Sequence, residues 1–310
     1  AGMPSPHWAI AVSEEASDYW EEMQWLGRKL AEMGHPGEVL RSSVLKPCGG
    51  GVGGEASQRF DVLYRFFELF DYRSIPAWDL IVYALKAGPL RMTPPVKSYL
   101  EEKLLFALFH HPCLESYWRD ALGEEAQERL HKVLPKTWIL DPRPLPPQAV
   151  VHDLAVNGQP IQRWEELYGL SQKQRRLVIK PSGYSPLAWG SRGVMIGHDH
   201  PQDRWASRLQ MALENFSSCP YILQQYRDPR RVPMRFYGAD GGIVAQEGRV
   251  RLCPYYMVSG GKARLSGILA TVCTLDKKLI HGMKTAVMAP CAVNGDGSHF
   301  LSHVMPSLQE

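Results

Sequence analysis

Long hydrophobic runs are missing from this chain of 310 residues. Its most apolar stretches, Leu104–Phe109 and Gly267–Val272, fall far short of the roughly 20 residues that carry a helix across a bilayer, so no spanning segment is expected. Charge of one sign is missing as well. Lys and Arg number 35 against 32 Asp and Glu, a net +3, which implies no broad basic surface, and no interleaving of basic and aromatic residues marks a nucleic-acid face. The six cysteines (Cys48, Cys113, Cys219, Cys253, Cys273 and Cys291) form no CxxC pair, which argues against zinc and thioredoxin-type chemistry. Free thiols in a reducing cytoplasmic setting are expected rather than a disulfide framework. There is no internal repeat. Ala1–Pro6 lacks the basic start and apolar stretch of a secretory signal and reads as a natural tail or cloning remnant outside the fold. What is present is 45% hydrophobic, 10% aromatic and 22% charged, the composition of a globular chain able to fill one large domain or two ordinary ones.

Along the first third, apolar strands alternate with amphipathic helices. Trp8–Val12 reads as a buried strand, and Ser13 with Glu14 and Glu15 as a helix start. Tyr19, Met23, Leu26, Leu30 and Met33 recur at helical spacing until Gly34 and Pro36. Strands are expected at Val39–Leu45, Phe60–Phe66 and Leu90–Thr93, with a helix at Trp78–Ala87 closed by Gly88. That order predicts a small parallel, Rossmann-like sheet over residues 7–95. The glycine cluster Gly49–Gly54 has no following lysine and reads as a flexible connection. Residues 97–111 and Leu114–Val133 are expected as two helices, with the proline-rich 142–147 as a linker. His110-His111 at a helix end reads as a partner of the helix dipole.

Beyond the linker the pattern changes to α+β. A short helix is expected at Trp164–Tyr168, strands at Arg176–Lys180, Gly193–Gly197 and Tyr221–Tyr226, and a helix at Arg204–Phe216. Strands then dominate, at Arg235–Gly238, Gly242–Gln246, Arg249–Met257 and Leu269–Cys273, before an exposed tail at 294–310. The most informative segment runs from Leu177 to Val194. An apolar strand ends in Lys180, and a loop with Ser182, Gly183, Ser191 and Gly193 leads to the next strand. Such a hairpin supplies one positive charge and unobstructed backbone N–H groups to an anion. It lacks the GxxxxGK[ST] pattern, which excludes a P-loop. An ordinary hairpin with a mobile tip is the alternative. Gln224, Gln225 and Tyr226 end the later strand and can offer amides to a purine edge.

Lys103 on a helix, the Pro135-Lys-Thr137 turn, the Val178-Ile-Lys-Pro181 strand with its Gly/Ser loop, and the Tyr221-Ile-Leu-Gln-Gln-Tyr226 strand stand in the order of the ATP-grasp superfamily. The chain resembles that family over about residues 95–226, nearest its glutathionylspermidine synthase-like and related uncharacterised branches, and residues 7–95 resemble its preATP-grasp domain. The resemblance implies an ATP-grasp domain over 96–293, with a lid subdomain at about 138–226 and a core from about 227, closing on a nucleotide. By that likeness Lys103 and Lys180 hold ATP phosphates, the loop at Ser182, Gly183, Ser191 and Gly193 covers them, and Gln224, Gln225 and Tyr226 meet adenosine. Glutamines stand where many members carry glutamates, which removes an anionic acceptor for the ribose hydroxyls.

The implied activity is ATP-dependent ligation of a small carboxylate to an amine or thiol through an acyl phosphate. Arg235 and Arg251 are then the candidates to stabilise charge on the transferring phosphoryl group, with pairing to a neighbouring carboxylate as their structural alternative. The family holds Mg²⁺ with an acidic residue and a Glu-x-Asn pair. No Glu-x-Asn occurs here; Asp240, Glu247 and Asp276 are the available carboxylates, Asp240 also fits a turn, and Asn294 follows no glutamate. The second reading is therefore a catalytically degenerate ATP-grasp-like protein that binds a nucleotide or regulates. His281 could lie near a substrate or be structural.

Overall fold

A computed structural model describes residues 5–238, 240–280 and 286–291, Trp189 by its backbone only. The protein is a mixed α/β chain that divides into two compact units, Ala1–Gln225 and Tyr226–Glu310.

The first unit opens with β1 (Trp8–Val12), α1 (Trp20–Glu32), β2 (Glu38–Arg41), β3 (Lys46–Cys48), β4 (Gly51–Gly53), β5 (Val62–Phe66), α2 (Trp78–Ala87) and β6 (Arg91–Thr93). Four of these strands form a sheet in the order β2-β1-β5-β6, and its ladders are parallel, with Ala9 opposite both Glu38 and Leu63. β1 is apolar at every position because both faces are covered, as parallel strands require. Ile10 and Val12 pack with Met23 of α1, while Ala9 and Ala11 pack with Ile81 and Ala84 of α2.

Local details differ from the pattern-based expectation. The Ser13 hydroxyl accepts the Ala16 N–H at 3.3 Å, so Ser13 closes a turn, and a 3₁₀ turn at Ser17–Tyr19 leads into α1. The second strand stops at Arg41, where a 3₁₀ turn begins. The glycine cluster is a paired hairpin, β3 against β4, turning through Gly49 and Gly50 at φ +52° and +76°; both need a left-handed backbone that glycine adopts without penalty.

α3 is short, Leu104–Phe109, and stops before Pro112, and the next expected helix is cut by Gly123 into α4 (Glu115–Leu122) and α5 (Glu124–Val133). There follow β7 (Thr137–Ile139), a two-strand clip of β8 (Ala155–Val156) and β9 (Gln159–Pro160), β10 (Leu177–Pro181), β11 (Met195–Ile196), α6 (Gln202–Glu214) and β12 (Tyr221–Gln225). β11, β10, β12 and β7 form, in that order, an antiparallel sheet. Its period-2 alternation sets two faces. Ile179 and Leu223 point into a core with Trp205 and Leu209 of α6. Lys180 and Gln224 stand on the opposite face.

The second unit is an antiparallel meander of β13 (Arg231–Tyr237), β14 (Ile243–Ser259), β15 (Lys262–Thr274) and β16 (Val287–Pro290). Gly248 sits inside β14 with its Cα against Cys273 O, where a Cβ would approach to 2.7 Å. The two strands expected on either side of it are therefore one. His281 and Asn294 lie outside the described residues.

Candidate functional site

Lys103 occupies the N-cap position of α3, and Lys180 rises from β10 near it. Burial pushes the Lys180 ammonium down to about 8 from its ordinary 10.5, and the positive charge of Lys103 adds to the effect. Lys103 is lowered too, chiefly by burial, against the pull of Glu102 and Glu68. Taking two like charges from water without neutralising both is unfavourable, so the pair forms a cradle whose natural complement is an anion.

The side chain of Lys180 is fixed by a relay across three strands. Its Nζ donates to Gln224 Oε1 at 2.6 Å, Gln224 Nε2 donates to Thr137 Oγ1 at 2.9 Å, and Thr137 Oγ1 donates to Pro135 O at 2.8 Å. Gln224 is thus a positioning residue for the lysine, with both ends of its amide engaged within the sheet. Gln225 separates from it: its backbone N–H donates to Lys136 O at 2.8 Å, and its side chain lines a different cavity of about 400 Å³. Tyr226 is buried at 8% exposure and begins the second unit.

The loop after Lys180 already holds an anion of the chain itself. Ser182 Oγ donates to Glu102 Oε2, and the Gly183 N–H donates to Glu102 Oε1 at 3.3 Å. Gly183 is required by this approach, since a Cβ there would come within 1.9 Å of Glu101 O. Farther along, the loop folds back on itself. It contains a 3₁₀ turn over Pro186–Ser191, Ser191 has φ +63°, and the Gly193 N–H donates to Leu187 O at 2.7 Å. The structure therefore gathers Lys103, Lys180, Ser182 and Gly183 and leaves Ser191 and Gly193 as loop-shaping positions. Glu102 is the member that sequence reading missed; its only signal was its place beside Lys103.

A crevice of about 360 Å³ opens beyond the carboxyl ends of β1 and β5, lined by Arg65, Glu68 and Glu101 among others. Strand order reverses between those two strands, the place where open α/β sheets bind ligands. Arg65 is buried and paired with Glu101, which also accepts the Leu69 N–H at 2.8 Å. Burial raises the Glu68 carboxyl, and the charge of Glu101 adds to it.

In the second unit, Arg235 on β13 and Arg251 on β14 are exposed. The register pairs Arg231 with Arg249 and Arg235 with Ala245, so by strand alternation Arg231, Arg235, Arg249, Arg251 and Glu247 share one face. The carboxylates expected at a metal do not form one. Asp240 Oδ1 accepts the Gly242 N–H of its own turn at 3.0 Å, Glu247 lies opposite Pro233 in mid-strand, and Asp276 is taken by Thr274 and Lys277. Among the described residues no group of three or more His, Cys, Asp or Glu is placed to hold a metal ion.

His110 is not a dipole partner. Burial first, then His131, Lys136 and His152, push its imidazole down to about 4, so it is neutral at pH 7 and brings no charge to the helix end. His111 Nδ1 instead accepts the Cys113 N–H at 3.3 Å.

The first unit thus has the makings of an α/β protein with a twin-lysine anion cradle beside a switch-point crevice. No protein-family model matches the chain, and no curated protein matches it. Among solved structures, macrocyclase MdnC bound with precursor peptide MdnA, from Microcystis aeruginosa MRC, is similar with 10% identity, a TM-score of 0.37, and 88% of each chain covered. No helix among the described residues is long and apolar enough to cross a membrane.

Proposed function

We propose that this protein is an ATP-dependent ligase of the ATP-grasp type that joins a small carboxylate to an amine or thiol through an acyl phosphate. The observation that carries the reading is the cradle: two half-buried lysines side by side, with Lys180 held down to about 8 and no carboxylate bonded to it among the described residues. A polyphosphate supplies the opposite charge that Lys180 lacks, while Lys103 already feels Glu102 and Glu68. ATP supplies the phosphoryl group that activates the carboxylate. Lys103 and Lys180 bind and orient phosphate oxygens, and Ser182 and Gly183 exchange Glu102 for a phosphate oxygen as hydrogen-bond acceptor. The crevice at Arg65, Glu68 and Glu101 opens near Lys103, whose ammonium feels the Glu68 charge, and it receives the small substrates. Arg235 and Arg251 share one exposed face of the second unit, and no step is assigned to them. Asp240, Glu247 and Asp276 do not fit a common magnesium site, and no step is assigned to them.

The test incubates the protein with ATP, magnesium and pooled carboxylates, amines and thiols, and follows phosphate release. Turnover that disappears in Lys180→Ala supports the ligase. ATP binding that is lost in Lys180→Ala, without turnover in any pool, assigns the nucleotide-binding regulator instead. ATP binding unchanged in Lys180→Ala removes the cradle from the nucleotide site.

A further inference from the structure

The near-neutral total charge is unevenly placed along the chain. Residues 226–310 hold 11 of the 35 Lys and Arg but 6 of the 32 Asp and Glu, and the pairing of β13 with β14 gathers four of these arginines on one side of a sheet. The Gly238 N–H donates to Gly242 O at 2.8 Å, which fixes the phase of that ladder. Arg231 and Arg249 are therefore directly opposite in a pair without mutual hydrogen bonds, the kind whose Cα atoms lie only about 4.5 Å apart. Like charges in that position destabilise a sheet. By strand alternation Arg235 and Arg251 stand on the same face. Among the described residues none of the four is in an ion pair, and Arg249 gives one N–H to Lys277 O at 3.4 Å. Glu247, opposite Pro233, is the one carboxylate that these two strands place among them.

We propose that this face docks a single-stranded nucleic acid, with phosphates on the arginines and bases on the tyrosines that bracket them. Tyr237 continues the face beyond Arg235 and is 78% exposed; Tyr255 continues it beyond Arg251 and is 50% exposed. The register irregularity of β14 comes only after Tyr255, so the alternation holds up to that ring. From Ile243, which faces Tyr237, to Tyr255 is about 40 Å of strand.

Charge complementarity asks for a polyanion, and the rings decide which one. Guanidinium forks match phosphate oxygens, and bases stack on tyrosine whatever their sequence. An acidic peptide would use the arginines and leave both rings bare. Its other route, adding as a strand along β13, is interrupted where Pro233 puts no N–H on the free edge. A duplex keeps its base faces stacked on one another and away from the tyrosines. Chain order hides the arrangement, because only the ladder sets Arg231 beside Arg249.

The experiment is fluorescence anisotropy of a labelled oligothymidylate of about ten nucleotides, titrated with the full chain over a series of salt concentrations. Oligouridylate, polyglutamate and duplex DNA of matched length serve as competitors. The logarithm of the binding constant is expected to fall against that of salt with a slope of about −2 to −3, the value for three or four neutralised phosphates. Arg231→Gln and Arg251→Gln each reduce the slope by about 0.7, while Tyr237→Ala and Tyr255→Ala weaken binding about fivefold or more at unchanged slope. Arg231→Gln does not lower the melting temperature, since it removes one of two opposed like charges, so its weaker binding is not a folding defect. Lys180→Ala leaves binding unchanged, which separates this face from the nucleotide reading. Binding of either oligonucleotide supports the proposal, and the tighter one names DNA or RNA as the source. No binding of either, a slope unmoved by both arginine variants, tyrosine variants without effect, or loss of binding in Lys180→Ala would each overturn it. So would competition by polyglutamate or duplex as strong as by the single strand, the former assigning the face to an acidic peptide.

Discussion

A lysine buried beside another lysine is held against its own preference, and that tension can be titrated. Replacing Lys103 with Ala removes the like charge that lowers Lys180, so the Lys180 midpoint should climb from about 8 toward its ordinary value; NMR of the ε-methylene or ammonium signal checks this. Because the folded value of Lys180 lies below the unfolded 10.5, the unfolded chain binds the extra proton between the two, and this residue's contribution to stability rises with pH across that window. The difference in unfolding free energy between wild type and Lys180→Met, followed from neutral pH upward, should grow in favour of the wild type. Binding of polyphosphate should run the other way and weaken as the free lysine loses its proton. At Gly183, Ala would drive a Cβ to within 1.9 Å of the Glu101 carbonyl. The expected result is loss of nucleotide binding with stability reduced by about 1–3 kcal/mol, read by nucleotide titration and urea melts.

At the level of elements, Gly123 joins α4 to α5 at φ 80°, ψ 153°, a region open in practice to glycine alone. Gly123→Ala should cost about 1–3 kcal/mol, seen as a lower urea midpoint with an unchanged slope. That break was hidden in the sequence because Leu114–Val133 keeps helical composition across it. The parallel layer was legible for the opposite reason: Trp-Ala-Ile-Ala-Val at β1 is apolar on both faces, and α2 ends at a left-handed Gly88. Lys180 could be singled out because an apolar strand ends on it. β7 could not, since Thr137–Ile139 is three residues long and becomes a strand only through pairing with Ile222–Gln224. The histidine cluster was equally hidden, as His110, His131 and His152 come from separate elements and no local spacing links them.

On the scale of the whole molecule, no disulfide joins any of the six cysteines, with Cys113 exposed and Cys273 buried. Without reductant, six thiols should titrate in denaturant, while in the native protein Cys113 reacts readily and Cys273 does not; reductant should leave the melting temperature unchanged. The relay that fixes Lys180 has a consequence for how the chain is made. Thr137 and Gln224 are 87 residues apart, and Lys180 and Gln224 are 44 apart, so the cradle is closed by contacts of long sequence separation, the kind that form slowly. A ribosome delivers Lys103 and Lys180 well before the strand that orders them. Until Gln224 has emerged, the growing chain carries both lysines without the acceptor that Lys180 Nζ meets in the folded protein.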